Sequence, residues 1–301
     1  MIANLYRKTF SVSLRAKIYN LFLGSTLNFF RNFSPLVRMK GIFILLFNPF
    51  FPKDEYYNAW RYIGKHGYSS QPFKPTVNYN KLPVAVFCDE KNNLPYVIHN
   101  GKRLYFKQDS LDFSVKQHYE GLVTEQDANS PHRYVNSYSE LQGKTLLDIG
   151  AAEGIFALDV IEYVEKVYLF ECDEQWILPL QATFEPWKDK IEIVKKYVGG
   201  NDDEDFITID SFMKDKGHNN IHIKMDIEGY ELPALNGAKN LLTNEDKLVS
   251  LSVCTYHNEN DVKDIPDFLQ SLGYSCELVP GLLLLSNCLR KAICRANKND
   301  L

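Results

Sequence analysis

From residue 144 onward the chain alternates between short continuous apolar runs and longer stretches in which apolar residues recur at helical spacing. The runs predict strands at 144–149, 166–171, 191–194, 221–226 and 248–254. Between them the spacing predicts helices over 153–164, 173–184, 231–242 and 261–272, with a helical turn near Ser211–Lys216. A last pair of strands, 274–279 and 282–287, is expected as a hairpin hinged at Pro280-Gly281. Runs that are apolar on both faces belong to a parallel sheet covered by helices on both sides, so the order implies a doubly wound α/β fold.

Upstream the pattern changes. Val84–Cys88 reads as a strand, and Tyr96–His99 and Lys102–Phe106 flank Asn100-Gly101, the dipeptide of a tight hairpin turn. A small antiparallel element is therefore expected ahead of the main fold, with the hairpin at 96–106. Residues 110–141 begin with helical spacing and pass into a polar, turn-rich stretch, Glu125–Tyr134. The predicted division is a basic apolar segment (1–53), an extension (54–140), an α/β domain (141–290) and a C-terminal tail (291–301).

The first predicted strand runs into Asp148-Ile149-Gly150-Ala151-Ala152-Glu153-Gly154, and the second ends on Phe170-Glu171-Cys172. Strand, glycine turn, helix, strand and terminal acid form the layout that binds an adenosine-containing cofactor at the carboxyl end of a parallel sheet. Gly150 and Gly154 let a cofactor lie against the backbone, and Glu171 can accept both hydroxyl protons of a ribose. A dinucleotide site would carry G-x-G-x-x-G. Here Ala152 replaces the second glycine, and Asp148 and Glu153 would repel two phosphates while suiting a sulfonium and an ammonium group. The expected cofactor is S-adenosylmethionine, lined by Asp148, Gly150, Ala152, Glu153, Gly154, Glu171 and Cys172. The connection at Tyr197-Val198 is expected to face the adenine.

Lys224-Met225-Asp226-Ile227-Glu228-Gly229-Tyr230-Glu231 is the second informative stretch. His222, Lys224 and Asp226 share one face of a strand that should be apolar on both faces. An ammonium and a carboxylate at its carboxyl end suggest a cleft in which they hold an acceptor group, with Asp226 also near the cofactor. Glu228 and Glu231 straddle the next helix start, where they either complement its dipole or touch substrate. His257 follows the strand ending at Cys254 and stands where a general base could sit, although a structural histidine reads equally well. His132 and Arg133, just ahead of the cofactor strand, are candidates for substrate contact. Lys224, Asp226 and His257 form the expected catalytic group.

Charge and cysteines narrow the class. Residues 1–53 hold Arg7, Lys8, Arg15, Lys17, Arg31, Arg38, Lys40 and Lys53 and no acid, so against an overall −4 the other 248 residues carry −12. That acidity argues against nucleic acid as a partner. Apolar runs in the segment, such as Leu21–Leu23, Phe29-Phe30 and Ile42–Phe47, are too short to span a bilayer. Two readings stand: a peripheral contact with an anionic membrane surface, or helices packed on the protein. The six cysteines, Cys88, Cys172, Cys254, Cys276, Cys288 and Cys294, are scattered with no C-x-x-C pair. No zinc site, disulfide framework or other metal site is expected, so the compartment reads as cytoplasmic, with a peripheral place on the inner face of the membrane if the basic segment meets lipid.

Together these stretches resemble the FkbM-type family of S-adenosylmethionine-dependent methyltransferases. Leu146–Phe156 is similar to the family's first motif, Phe170-Glu171 to its ribose-binding acid, and Lys224–Glu231 to its K-x-D-x-E-G-x-E signature, with Asn236-Gly237-Ala238 following. The resemblance covers about 144–279. It departs at Ala152-Glu153, and at Thr255-Tyr256-His257, where many members carry Glu-x-His. It implies a class I methyltransferase sheet and O-methylation of a hydroxyl, on a glycan or a secondary metabolite, as bacterial members do. The rival reading is a non-catalytic membrane-surface scaffold that keeps the fold.

Overall fold

The computed structural model describes residues 35–47, 51–285 and 287–298. Leu21–Leu23, Phe29-Phe30 and the rest of 1–34 lie outside the described residues. The chain divides into two compact units. One contains Cys88–Gln108, Tyr134–Leu278 and the strand beginning at Ile293; the other contains the described residues up to Phe87, with Asp109–Arg133 and Val279–Ala292.

The first unit is built on a seven-stranded sheet. Its strands are β1 (Thr145–Ile149), β2 (Lys166–Phe170), β3 (Ile191–Val194), β4 (Asn220–Met225), β5 (Leu248–Cys254), β6 (Tyr274–Leu278) and β7 (Ile293–Lys298). They lie in the order β6-β7-β5-β4-β1-β2-β3. All pairings from β3 to β5 are parallel, and β7 runs antiparallel to both β5 and β6. The main connecting helices are α1 (Ile155–Val160), α2 (Glu174–Thr183), α3 (Glu231–Asn236) and α4 (Asp261–Ser271). The sheet is doubly wound and mainly parallel, as the alternation of runs predicts.

Burial explains the order. Every residue of β1 is buried, and Leu147, Ile149, Ile223, Met225, Leu251 and Val253 share one core. After β1 the chain moves outward to β2 and β3, then returns to lay β4 on the other side of β1. The carboxyl ends of β1 and β4 thus flank the topological switch point, the place where open α/β sheets bind ligands.

Four expectations are corrected. The strand β6 does not fold back on 282–287; it pairs with β7, from Tyr274↔Lys298 to Leu278↔Cys294. Residues 293–298, expected within a tail, are thus an inner strand of the sheet. Leu283–Leu285 instead pairs with Cys288–Arg290 in the other unit. The cause is Pro280-Gly281, with Gly281 at φ +98°, which ends β6 rather than turning it into a two-residue hairpin. Likewise the helix expected over 231–242 is broken into Glu231–Asn236 and Lys239–Thr243. Gly237 lies at the break, where a Cβ would stand 2.2 Å from the Gly199 carbonyl oxygen. Of Val84–Cys88, only Phe87-Cys88 is strand. The hairpin forms as predicted, with His99 paired to Lys102 and positive φ at both Asn100 (49°) and Gly101 (79°).

In the second unit, helices Pro35–Leu46 and Glu55–His66 pack through glycines, with Trp60, Ile63, Val37 and Ile44 in their shared core. A Cβ on Gly41 would lie 2.6 Å from Gly64 N, so the backbones approach too closely for any larger residue. Asp54 caps the second helix by accepting from Tyr57 N at 2.8 Å. The turn-rich stretch after helix Asp112–Glu125 is anchored by Asp127, which accepts from Thr76 N (2.9 Å) and the Tyr79 hydroxyl (2.8 Å).

Candidate active site

The loop after β1 bends sharply. Gly150, Ala152 and Gly154 all adopt left-handed backbone, with φ of 78°, 47° and 78°. At Gly150 the reason is also steric, because a Cβ would stand 1.9 Å from the carbonyl oxygen of Asp226. At Gly154 the neighbours would be the ends of Phe184 and Leu180. Ala152 carries a Cβ into a conformation that costs ~1–2 kcal/mol. Glu171 holds it there: its Oε2 accepts from Ala152 N at 2.8 Å, while Oε1 accepts from Asp173 N at 2.7 Å. The half-buried carboxylate at the tip of β2 thus shapes the glycine turn.

Register brings Asp148 and Lys224 side by side on adjacent parallel strands. Lys224 Nζ lies 2.9 Å from Asp148 Oδ1 and donates to the Gly150 carbonyl at 2.6 Å, with the Tyr134 ring beneath it at 5.4 Å. Both side chains are almost fully buried. Burial alone would lower the Lys224 pKa, but the carboxylates of Asp148 and Asp226 more than offset it and hold the ammonium charged. Burial raises the Asp148 pKa against the opposing pull of Lys224. Lys224 therefore points inward, under the loop.

Asp226 is different. It stands just past β4, its N–H donating to the Ile149 carbonyl at 3.0 Å, and its side chain is 21% exposed. The Tyr134 hydroxyl donates to its Oδ2 (3.0 Å) and the Tyr256 hydroxyl to its Oδ1 (3.2 Å). His257 Nε2 is 3.5 Å from Oδ1. On the other side of that ring, Nδ1 lies 2.7 Å from Oε1 of Glu231, which is wholly buried and also accepts from Ile227 N at 2.9 Å. Burial lowers the His257 pKa, but Glu231, Asp226 and Glu228 together raise it above the ordinary histidine value. Glu228, at φ 55° on the turn before α3, is exposed and comes within 3.6 Å of His257 Nε2.

The remaining candidates fall as follows. Glu153 is buried. The Cys172 thiol is pushed up to about 11, by burial first and then by the charge of Glu171, so it stays protonated. Tyr197 and Val198 form a short strand beside Phe206-Ile207; Tyr197 is exposed and Val198 buried. The Tyr197 and Phe206 rings are 5.3 Å apart, and Tyr230 lies 6.0 Å beyond Phe206. His132 and Arg133 belong to the other unit, where His132 N donates to Ser130 Oγ at 3.1 Å and the Arg133 guanidinium donates to the Gln126 carbonyl. Two tyrosines on Asp226 were not read from the sequence. Tyr256 precedes His257, within a zone already marked; Tyr134 carries no local signal.

Residues 198–276 match the sequence model of the methyltransferase FkbM domain. This part of the chain resembles the FkbM methyltransferases. That stretch runs from Val198 through the Lys224–Glu231 signature to His257 and into β6. No curated protein matches the chain. Among solved structures it is similar to a methyltransferase FkbM from Methylobacillus flagellatus, at 21% identity and a TM-score of 0.42, over 61% of this chain and 53% of that one. The chain thus spans about half the length of that structure. SMU.1697c from Streptococcus mutans, solved in complex with SAH, is 12% identical with a TM-score of 0.40, over 54% of this chain and 93% of that one. Magnesium protoporphyrin IX methyltransferase from Synechocystis, solved with bound SAM, is 15% identical with a TM-score of 0.35, over 53% and 72%.

Proposed function

We propose that this chain transfers a methyl group from S-adenosylmethionine to a hydroxyl. The observation that carries the reading is the convergence at the switch point of the left-handed Gly150–Gly154 turn, the Glu171 carboxylate and Asp226. The residues suit the cofactor: left-handed backbone at Gly150 and Gly154 bends the turn at the strand end, and Glu171 beside it can accept ribose hydroxyls. When bound, the cofactor supplies an electrophilic methyl on a sulfonium.

Each residue then has a task. Glu171 binds the ribose, and the Gly150–Gly154 turn holds the methionyl part. Lys224, paired inward with Asp148, braces that turn rather than reaching the acceptor. Asp226 faces the acceptor hydroxyl, and Asp226 or His257 receives its proton. Tyr134 and Tyr256 fix the orientation of the Asp226 carboxylate, so orientation supplies much of the rate. The acceptor class we favour is a saccharide or small-metabolite hydroxyl.

Calorimetric titration with S-adenosylmethionine and S-adenosylhomocysteine, with NAD as control, tests the cofactor. Micromolar binding of the first two, lost in Glu171→Ala, is expected. Well-folded protein that binds neither would leave the scaffold reading instead.

A peripheral membrane contact is part of this proposal. No described helix is long and apolar enough to cross a membrane. Helix Pro35–Leu46, however, turns Leu36, Met39, Phe43 and Leu46 outward at helical spacing, with Arg38 and Lys40 among them. Such a face suits an anionic lipid surface. Pelleting with phosphatidylserine vesicles, lost when Met39 and Phe43 are changed to Ser, is the expected result; equal pelleting of the variant would exclude this face.

A further inference from the structure

Glu231 is 0% exposed, and two groups meet its Oε1: the Ile227 N–H at 2.9 Å and His257 Nδ1 at 2.7 Å. No lysine or arginine pairs with it among the described residues. An ionised carboxylate buried without a cation is costly. The imidazole is the group placed to supply the missing charge. Its contact with Oε1 has the length of a charge-assisted N–H···O bond, about 2.7–2.9 Å.

The opposite side of the ring meets more negative charge. His257 Nε2 lies 3.5 Å from Asp226 Oδ1 and 3.6 Å from Glu228 Oε2. The Tyr256 ring packs 4.2 Å from the imidazole and donates its hydroxyl to Asp226, so it adds no competing charge. Glu231 on α3, Asp226 and Glu228 on the turn before it, and Tyr256 beside it therefore face the ring, three of them anions. Burial opposes a charge on His257, and the carboxylates outweigh it, which raises its pKa above the ordinary histidine value.

We propose that Glu231 is a positioning carboxylate that keeps His257 as an imidazolium near neutral pH, and that Asp226, not His257, takes the proton of the acceptor hydroxyl. The second half rests on the methyl-transfer reading; the charge state of the ring does not. An imidazole protonated on both nitrogens has no lone pair with which to accept another proton. Its charge, 3.5 Å from Asp226 Oδ1, favours the ionised form of that carboxylate, which is the form able to receive one. The proton passes from the acceptor oxygen to an Asp226 oxygen, and the electron pair of the O–H bond stays on the acceptor oxygen that receives the methyl group. Asp226 ends neutral, and the His257–Glu231 pair keeps its charges throughout. Glu228, whose side chain is 92% exposed, adds a weaker, solvent-screened attraction to the same ring.

The test is a nuclear magnetic resonance titration of the His257 ring nitrogens in ¹⁵N-labelled full-length protein, assigned with His257→Gln, with S-adenosylhomocysteine calorimetry run in parallel. The ring should be more than half protonated at about pH 6.5, the midpoint of an ordinary histidine. Glu231→Gln should move the midpoint down, and Glu228→Gln should move it down less, because Glu231 is both nearer and buried. A purely structural role for Glu231 would leave the midpoint in place. Should Glu231→Gln fail to fold, the exposed Glu228→Gln must still lower the midpoint. A ring mainly neutral at pH 6.5, or a midpoint unmoved by these substitutions, would overturn the proposal whatever the calorimetry shows. The expected titration from protein that does not bind S-adenosylhomocysteine would retain the Glu231–His257 pair and overturn the methyl-transfer reading, and with it the task given to Asp226.

Discussion

Lys224 reaches across from β4 to Asp148 on β1, Nζ to Oδ1 at 2.9 Å, and crowns the pair by donating to the carbonyl of Gly150. One lysine thus ties two strand ends to the turn between them. Removing it strands a carboxylate that is 1% exposed. Lys224→Met should therefore destabilise the protein by about 3–5 kcal/mol, and Asp148→Asn in the same chain should restore part of that loss. Urea unfolding measures both. Unchanged stability in Lys224→Met would show that the pair is not a brace.

Gly150 is the least replaceable residue of the turn. Alanine there combines left-handed backbone, at about 1–2 kcal/mol, with a Cβ 1.9 Å from the Asp226 carbonyl oxygen. Gly150→Ala should lower stability clearly more than Gly154→Ala, whose Cβ meets only side-chain ends. Thermal unfolding of the two variants decides this; equal losses would contradict the steric reading.

His222 gives the fold an acid limit. It is buried between the hydroxyls of Ser250 (2.9 Å) and Ser252 (3.2 Å). Its pKa is lowered to about 3, by burial first and then by the charges of Lys144 and Arg295. The folded pKa lies below the unfolded one, about 6.5, so as pH falls through that window the unfolded chain takes up a proton that the native state refuses. Stability from this residue is complete above about pH 6.5 and declines by about 1.4 kcal/mol per pH unit below it, until pH nears 3. Denaturation of the protein and of His222→Gln between pH 7 and 4.5 should show a steeper fall for the unaltered chain. Parallel curves would refute the assignment.

The helix pair of the second unit depends on two glycines. Gly64→Val would place side-chain atoms where a Cβ already stands 2.6 Å from the Gly41 carbonyl oxygen. The pair must separate, exposing Trp60 and Ile63. Faster proteolysis within 35–66, with the sheet unit still intact, is the expected outcome; an unchanged cleavage pattern would show that the close approach is not needed.

Local pattern alone determined much of this protein. Runs apolar on both faces mark the parallel strands, because a strand covered by helices has no wet face. Asn100-Gly101 marks the hairpin, because both residues accept positive φ. The D-x-G-x-x-x-G turn, Glu171 and the Lys224–Glu231 stretch mark the strand ends at which the site is built. What the tertiary structure decided is which neighbours those groups meet. β7 is invisible in Ile293–Lys298, where Arg295, Asn297 and Lys298 mask a strand whose partners begin fifteen and more residues away. Lys224, read as reaching an acceptor, turns inward because the parallel register sets it beside Asp148, seventy-six positions earlier. Glu231, read as either a helix-start charge or a substrate contact, is buried behind His257, and Tyr134 reaches Asp226 from ninety-two residues away. Such pairings follow from strand order and packing, which act between residues distant in the chain and leave no periodicity within it.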